Sequence, residues 1–249
     1  MESNIKSFVK STFIFKLYLK RQCAKRSKRV AILKHYFLEE NVEMLRNFSS
    51  ALNEAGIPFW LEFGTLLGFY REHSFIAHDL DIDTGAYYED VEEVQKALEK
   101  AGFKLVREYN VLNDGGKEQC YLYRHSTIDV FYFRKDGNKM FCNSFYETGK
   151  SQLTEKSCVN KSVPVCVARI EVPLMNYVPA TFYGCDVYVP EDTDLYLRTH
   201  YGPDYMTPNP NYSHKKQSTN IIWYDYEEKQ GEALFKLPFF GRPEEYGLI

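Results

Sequence analysis

The chain has 249 residues, of which 44% are apolar and 26% charged, a composition that excludes both a disordered polyelectrolyte and a membrane-embedded protein. The net charge of −3 conceals an asymmetry: residues 1–34 hold ten Lys and Arg and one acid, and the remaining 215 residues hold 21 bases and 33 acids. A basic N-terminal segment on an acidic body excludes a protein that coats nucleic acid uniformly, and we expect no nucleic-acid partner.

The basic N-terminal segment, residues 1–29, is predicted to form an amphipathic helix. Its apolar stretch from Phe13 to Leu19 is interrupted by Lys16, which makes it too short for a transmembrane span or a secretory signal. Two interpretations stay open: the helix binds an anionic membrane surface, or it packs on the body or frays in solvent. The six cysteines contain no C-x-x-C pair, so we expect reduced thiols in a cytoplasmic protein, peripheral on the inner face of the cell membrane if the helix binds there.

Helices and strands alternate in the first part of the sequence and strands dominate the second part, which predicts an α+β fold. A helix is predicted over 30–55, because apolar residues recur at helical spacing and Gly56 can terminate it. Its apolar stripe consists of Leu38, Val42, Leu45, Phe48 and Leu52, and Glu39, Glu40, Glu43 and Arg46 are assigned to the other face. The elements that follow are a strand over 58–63, a helix over 64–73, a strand over 79–85, a helix over 88–101 with a capping box at Asp90 and Glu93, strands within 103–189 and a helix over 191–201.

The most informative segment is the acidic strand that contains Asp79, Asp81 and Asp83. Alternate residues of a strand point to one face, with about 6.6 Å between one carboxylate and the next. Three carboxylates on one face repel each other unless they are solvated or a cation lies among them. Clustered hard oxygen ligands favour Mg²⁺, Mn²⁺ or Ca²⁺ over zinc.

Three interpretations of this acidic strand compete. The first is an acidic edge strand exposed to solvent. The second is a calcium loop, which we reject because Gly85 stands at loop position 7 instead of 6 and Asp90 replaces the closing Glu. The third is a metal-dependent phosphoryl-transfer site, in which the cation bridges the phosphates of a nucleotide.

The third interpretation predicts a further acid on a neighbouring strand and a turn of small residues that receives phosphate. Asp129 stands alone in the apolar run 127–131, where a carboxylate is either bound to a metal or paired with an Arg or Lys. Gly64 and Thr65 follow a strand and open a helix, so their backbone N–H groups can receive an anion.

At these residues the sequence resembles the LicD/fukutin family of phosphotransferases. That family carries a pattern close to W-L-x-x-G-T-L-L-G-x-x-R followed by F-I-P-W-D-D-D-I-D, then I-D-[IVL]-F, then F-x-G-x-x-V-x-V-P, Y-L and Y-G-x-x-Y-M-x-P. The corresponding segments here are Trp60 to Arg71, Phe75 to Asp83, Ile128 to Phe131, and Phe182 to Pro208. Ala77 and His78 replace the family's Pro-Trp, and Leu80 replaces its middle Asp.

The resemblance implies the nucleotidyltransferase fold of DNA polymerase β, a mixed sheet flanked by helices, here with an N-terminal helical extension. The catalytic domain is expected over 30–211, after the basic helix 1–29, and an irregular aromatic and Pro-rich tail over 212–249 is expected to pack on it. The implied reaction transfers a phospho-alcohol, classically phosphocholine from CDP-choline, to a hydroxyl of a glycan or lipid-linked glycan acceptor and releases CMP. Fukutin-type relatives move ribitol phosphate instead.

The resemblance also assigns roles to individual residues. Asp81, Asp83 and Asp129 are expected to bind one or two Mg²⁺ or Mn²⁺ ions, and Asp129 is also the expected group that polarises the acceptor hydroxyl. Arg71 is expected to neutralise developing charge, and Gly64 and Thr65 are expected to hold the donor phosphate. Asp79 is expected to support the metal ligands from the same face. Tyr201 and Tyr205, together with Tyr70, are candidates for a cage around a quaternary ammonium group.

Two rival functions stay open at this stage. The first is transfer of the nucleotidyl moiety, or of ribitol or glycerol phosphate, to the acceptor. The second belongs to another class: a catalytically silent protein that binds glycans or nucleotides. The intact set of carboxylates argues against a silent protein, because buried acids destabilise a fold that does not use them.

Overall fold

The computed structural model describes residues 2–147, 160–209, 212 and 217–237, and the side chains of residues 2–27, 29 and 147 lie outside that description. Within it, the α-helices are α1 (Glu2–Ala55), α2 (Phe63–Leu67), α3 (Val91–Lys100) and α4 (Thr193–Tyr201). The strands are β1 (Phe59–Leu61), β2 (Asp81–Tyr87), β3 (Lys104–Val111), β4 (Lys117–Tyr123), β5 (Ser126–Asp136), β6 (Lys139–Glu147), β7 (Ser162–Pro173), β8 (Tyr177–Phe182), β9 (Cys185–Pro190), β10 (Ile221–Trp223) and β11 (Gln230–Phe235). None of the described helices is both long and apolar enough to cross a membrane.

The predicted α+β class is confirmed, with a nine-stranded mixed sheet as its centre. The strand order is β1-β2-β5-β4-β3-β11-β7-β10, and β6 joins β5 to β7. Only β2 and β5 pair in parallel among the described strands, and the other pairs are antiparallel. Because β5 leaves β4 and turns its last residues to β6, the pairings β5–β4–β3–β11–β7–β6–β5 close into a ring.

Helix α1 is continuous from the basic segment through the predicted helix 30–55, and most of its predicted apolar stripe is buried, but two positions differ from the prediction. Leu38 is 59% exposed, and Glu40, which was assigned to the polar face, is only 6% exposed. The residues that pack against the sheet are Phe37, Met44, Leu45, Phe48 and Leu52. Glu40 can be buried on this face because its carboxylate accepts hydrogen bonds from the His125 N–H and the Ser126 hydroxyl.

The start of the acidic strand and the cap of α3 also differ from the prediction. The strand begins at Asp81, and Asp79 lies in the preceding turn, where its N–H donates to the carbonyl of Ile76. Asp90 makes no side-chain capping bond, because a 3₁₀ turn over Tyr88–Asp90 leads into α3. Gly56 and Gly102 end α1 and α3 with positive φ angles, as expected of C-terminal glycines.

The segment 212–249 was predicted to be irregular, and this prediction is wrong for the residues described. Strand β11 lies between β3 and β7, and β10 pairs with β7. Ala233 and Phe235 are buried with Val163 and Val165 in a second apolar cluster. The strand escaped detection because its inward positions include Gly231 and Ala233, small residues that give a weak alternating pattern. Residues 238–249 lie outside the described residues.

Candidate active site

The structure brings Asp81, Asp83 and Asp129 together on one face of two adjacent strands. Strands β2 and β5 are parallel and in register, so Asp83 lies directly beside Asp129 and Asp81 beside Thr127. Each carboxylate is flanked along the chain by residues such as Ile82, Ile128 and Val130, which are 0% exposed and anchor the opposite face in the core. Strand alternation thus holds the three acids on a rigid support.

Burial and mutual repulsion weaken the acidity of this cluster. Burial, followed by the charges of Asp129 and Asp79, raises the pKa of Asp81 to about 7. Burial, followed by Asp81 and Asp129, also raises the pKa of Asp83 well above its usual range. The pKa of Asp79 rises to about 6, chiefly by burial. Without a cation, the cluster therefore holds protons near neutral pH that ordinary carboxylates release.

Gly64 and Thr65 pack against these acids in different ways. A Cβ on Gly64 would lie 3.0 Å from Asp79 Oδ2 and 3.4 Å from Asp83 Oδ2, so glycine leaves room for both carboxylates. A hydrogen bond from the Gly64 backbone also counteracts the rise in the pKa of Asp83. Thr65 is 1% exposed, and its hydroxyl accepts a 2.9 Å hydrogen bond from the Asp83 N–H. Its side chain therefore fixes strand β2, and the predicted role of its backbone N–H in holding donor phosphate stays a prediction.

Sequence reasoning missed Arg107, Glu118 and Cys120, which lie on the far side of Asp129. Arg107 Nη2 is 3.6 Å from Asp129 Oδ2 and 4.0 Å from Glu118 Oε1. Burial and the charge of Asp129 raise the pKa of Glu118 to about 8. Asp129 thus has both an Arg partner and acidic neighbours. Strands β3 and β4 carry many polar residues, so their sequences do not single these three out.

Asp81, Asp129 and Arg107 border a pocket of about 120 Å³ on the β4 side of the acids. Its lining comprises Leu33, Leu80, Asp81, Arg107, Cys120, His125, Ser126, Thr127 and Asp129. Gly64 lies on the opposite, β1 side of the carboxylates, because β2 separates β1 from β5. The acids therefore lie between Gly64 at the start of α2 and the pocket below α1.

The predicted site residues Arg71 and Tyr205 hold the loop after α4. Arg71 donates from Nη1 to the carbonyl of Tyr205 at 3.0 Å and from Nη2 to Glu72 at 2.6 Å. Tyr205 is 5% exposed and its hydroxyl donates to Asp194 at 2.6 Å, so its ring is not open to a cationic ligand. Tyr201 lies nearer the acids, since burial and then the charge of Asp83 raise its pKa.

The carboxylate cluster offers ligands of the right type for a hard cation, but not a preformed cage. Among the described residues, no group of three His, Cys, Asp or Glu side chains is arranged to hold a metal ion. Asp129 Oδ1 is buried and has no hydrogen-bond partner among those residues. A buried oxygen of this kind, beside acids that repel one another, is what a cation would satisfy.

Comparison with known proteins matches this region to one family. The sequence model of the LicD/FKTN/FKRP nucleotidyltransferase domain matches residues 56–192, which include every acid of the cluster. The human ribitol-5-phosphate transferase FKTN is 25% identical over 198 residues, covering 75% of this chain and 38% of FKTN. The human ribitol 5-phosphate transferase FKRP is 26% identical over 181 residues, covering 68% of this chain and 32% of FKRP. The chain thus matches about a third of the length of these relatives.

Proposed function

The chain belongs to the LicD/FKTN/FKRP nucleotidyltransferase-domain family, and on this premise we propose that it is a phosphotransferase that moves a phospho-alcohol from a CDP-alcohol to a hydroxyl of a glycan precursor and releases CMP. The observation that carries the proposal is the convergence of Asp81, Asp83 and Asp129 on adjacent parallel strands. We also propose that the mixed sheet is of the nucleotidyltransferase, polymerase β-like type, in which acids from neighbouring strands serve the transferred phosphate.

Ribitol phosphate is the first alcohol phosphate to test, because FKTN and FKRP carry that activity in their names. Phosphocholine, the expectation from sequence, stays as the second candidate. The buried ring of Tyr205 weakens the argument for a choline cage, because a cation–π contact needs an accessible aromatic face.

We propose that Asp81, Asp83 and Asp129 bind Mg²⁺ or Mn²⁺. Support comes from the oxygen ligands, from the raised pKa values of Asp81 and Asp83, and from the buried, unpartnered Oδ1 of Asp129 within the described residues. The carboxylates would have to rotate to share an ion, since they do not already form a cage. A bound ion would neutralise charge on the phosphates of the donor.

The residues of the chain itself supply positioning and charge. Gly64 lets the Asp79 and Asp83 carboxylates approach the start of α2, the side on which we propose that the donor phosphate binds. Arg107 lines the pocket beside Asp129 and brings a positive charge to the opposite side of the acids. We assign to Arg107 the neutralising role that the sequence suggested for Arg71, whose Nη atoms are directed elsewhere. In this reaction, catalysis consists mainly of positioning and charge stabilisation.

The test is incubation of the purified protein with CDP-ribitol or CDP-choline, Mn²⁺ and a sugar acceptor. We expect metal-dependent CMP release and a phospho-alcohol on the acceptor by mass spectrometry, both lost in Asp83→Asn and retained in Asp186→Asn, a change at an exposed residue. A CMP group on the acceptor would indicate nucleotidyl transfer instead. Absence of metal-dependent turnover with any CDP-alcohol would overturn the proposal in favour of a silent binding protein.

We further propose that residues 1–29 bind an anionic membrane surface, which would bring the enzyme to lipid-linked acceptors at the inner face of the cell membrane. The support is the Lys/Arg-rich composition and the continuous backbone helix that carries it. Sedimentation with anionic liposomes at low salt should remove the full chain from solution but not a variant lacking residues 2–29. Equal sedimentation of both proteins would refute this role.

A further inference from the structure

The pocket below α1 ends at a histidine that a buried glutamate holds in place. His125 lies in the turn between β4 and β5, and its Nδ1 is 2.5 Å from Glu40 Oε1. The backbone N–H of His125 donates to Glu40 Oε2 at 3.1 Å, and Ser126 Oγ donates to the same oxygen at 2.9 Å. Tyr36 stacks on the imidazole with 4.1 Å between ring centroids and an angle of 9° between the rings.

The contact between Glu40 and His125 is not needed merely to fasten α1 to the sheet, because a neighbouring ion pair already does so. Arg124 forms a two-pronged ion pair with Glu43, at 2.6 and 2.7 Å, one helical turn along α1. That pair is partly exposed, whereas Glu40 is 6% exposed and its carboxylate loses most of its hydration. Burial of a carboxylate is destabilising unless it is well paired. The buried contact between Glu40 and His125 therefore calls for an explanation other than attachment of the helix.

The geometry points to His125 as the group that accepts the proton of the acceptor hydroxyl, with Glu40 as its positioning residue. The two imidazole nitrogens lie on opposite sides of the ring, so Nε2 is directed away from Glu40. His125 lines the pocket that Asp81 and Asp129 border. This inference rests on the proposed phospho-alcohol transfer, and it identifies the residue in the pocket that accepts the proton in that reaction.

The proton balance of the step is simple. Neutral His125 takes the hydroxyl proton at Nε2 and becomes an imidazolium, which the Glu40 carboxylate stabilises through Nδ1–H. The acceptor oxygen forms a bond to the phosphorus that carries the alcohol. The bond from that phosphorus to the bridging oxygen breaks, and CMP leaves with the electron pair. The imidazolium then returns its proton to solvent.

The positions of Gly64 and of the pocket, on different sides of the acids, support this assignment. In-line displacement requires the attacking and leaving oxygens on opposite sides of the phosphorus. Gly64 and Asp79 lie on the β1 side of the acids, and the pocket with His125 lies on the β4 side. Asp129, the group suggested from sequence, faces Arg107 through Oδ2 at 3.6 Å and is one of the proposed metal ligands, which leaves the proton transfer to another group.

The experiment compares His125→Ala with His35→Ala, a matched histidine on α1 whose side chain is 64% exposed. With saturating donor and acceptor, we expect kcat to fall at least about 100-fold in His125→Ala and to stay unchanged in His35→Ala. The KM for the CDP-alcohol should change less than about threefold, and added imidazole should restore part of the kcat of His125→Ala. An active His125→Ala would overturn the inference alone, whereas an inactive wild-type protein would overturn the proposed function.

A second measurement does not depend on turnover. In protein labelled with ¹⁵N-histidine, His125 should show the tautomer with hydrogen on Nδ1 and a lone pair on Nε2, identified by its absence in His125→Ala. Glu40→Gln should shift His125 toward a mixture of tautomers and lower kcat about tenfold, with the fold retained by circular dichroism. A His125 that carries its neutral-form hydrogen on Nε2, or that stays doubly protonated from pH 6 to 9, would refute the role.

Discussion

The carboxylate of Glu62 and the carboxylates of Asp81 and Asp83 in the acid cluster are all buried and have raised pKa values, but for different reasons. Glu62 is 1% exposed, and burial raises its pKa to about 7. Its neighbours act in the opposite direction: Trp60 Nε1 and Tyr196 Oη donate to Oε2 at 2.8 and 2.7 Å. In the cluster, the neighbours of Asp81 and Asp83 are other acids, which add to the effect of burial.

The difference separates structural from functional burial. Glu62 caps α2 and joins it to β1 and α4, so its interactions are complete within the fold. In the acid cluster, Asp81 and Asp83 lie beside other acids, and Asp129 Oδ1 has no hydrogen-bond partner among the described residues. A raised pKa therefore does not identify the active site by itself, and the identity of the neighbouring groups does.

The largest expected contrast is in turnover. Asp83→Asn should lower kcat by about 1000-fold or more, because it removes charge and a proposed metal ligand from the centre of the cluster. Glu62→Gln should lower it by less than about tenfold once folded protein is compared. CMP release per folded molecule measures both. A larger loss of kcat in Glu62→Gln than in Asp83→Asn would contradict the assignment of Glu62 to structure and of the acid cluster to catalysis.

The second contrast is the pH dependence of stability of Glu62→Gln and the wild type. The folded pKa of Glu62, about 7, exceeds its ordinary value of 4.5, so between these pH values the unfolded chain releases a proton that the native protein retains. The wild type should therefore lose up to about 3 kcal/mol relative to Glu62→Gln as the pH rises from 4.5 to 7. Urea unfolding at several pH values measures this difference, to which the acid cluster contributes equally in both proteins. Parallel stability curves would contradict the raised pKa.

The third expectation concerns metal addition. Because Asp81 has a folded pKa of about 7, the native protein without metal keeps protons as the pH rises from about 4 to 7, and its stability falls over that window. A cation binds the deprotonated cluster, so the stabilisation by Mn²⁺ should grow over the same window. At about 100 times the dissociation constant we expect Tm to rise by about 5 °C or more at pH 8 and hardly at all at pH 5. Asp83→Asn should abolish the shift, and a pH-independent shift would place the ion elsewhere.

The smallest effect is expected from Gly64→Ala. The added methyl group would displace the Asp79 and Asp83 carboxylates by a few tenths of an ångström rather than disturb the backbone. Turnover should fall about tenfold, while the free energy of unfolding changes by less than about 1 kcal/mol. Kinetics and urea unfolding of the same preparation test both numbers. Full activity would show that Gly64 is not needed beside the acids.

The sequence predicted the acid cluster because its residues interrupt otherwise apolar strands. Ile82, Ile128 and Val130 fix the register of β2 and β5, and the acids alternate with them. The same reasoning fails at Arg107 and Glu118, whose strands are polar on both faces. Their burial depends on which strands and helices cover them, which local periodicity does not contain.

Helix α1 shows a second limit of sequence reasoning. Apolar spacing located the helix and most of its buried face, but it misplaced Leu38 and Glu40, because the rule that acids face solvent fails for Glu40. The exception arises from His125 and Ser126, which lie more than 80 residues away in sequence. When a polar side chain is buried against partners that are distant in sequence, the hydrophobic pattern of the helix assigns that residue to the wrong face.

The position of β11 constrains the order in which the protein acquires its structure. This strand bridges β3 and β7, so the ring of strands stays open until the ribosome has synthesised residues 230–235. Before that point, β3 and β7 each expose an unpaired edge, and such edges invite association with other nascent chains. Strands β2 and β5, which carry the acid cluster and pair directly, can form long before the ring closes, so the candidate site and the closed ring belong to different stages of folding.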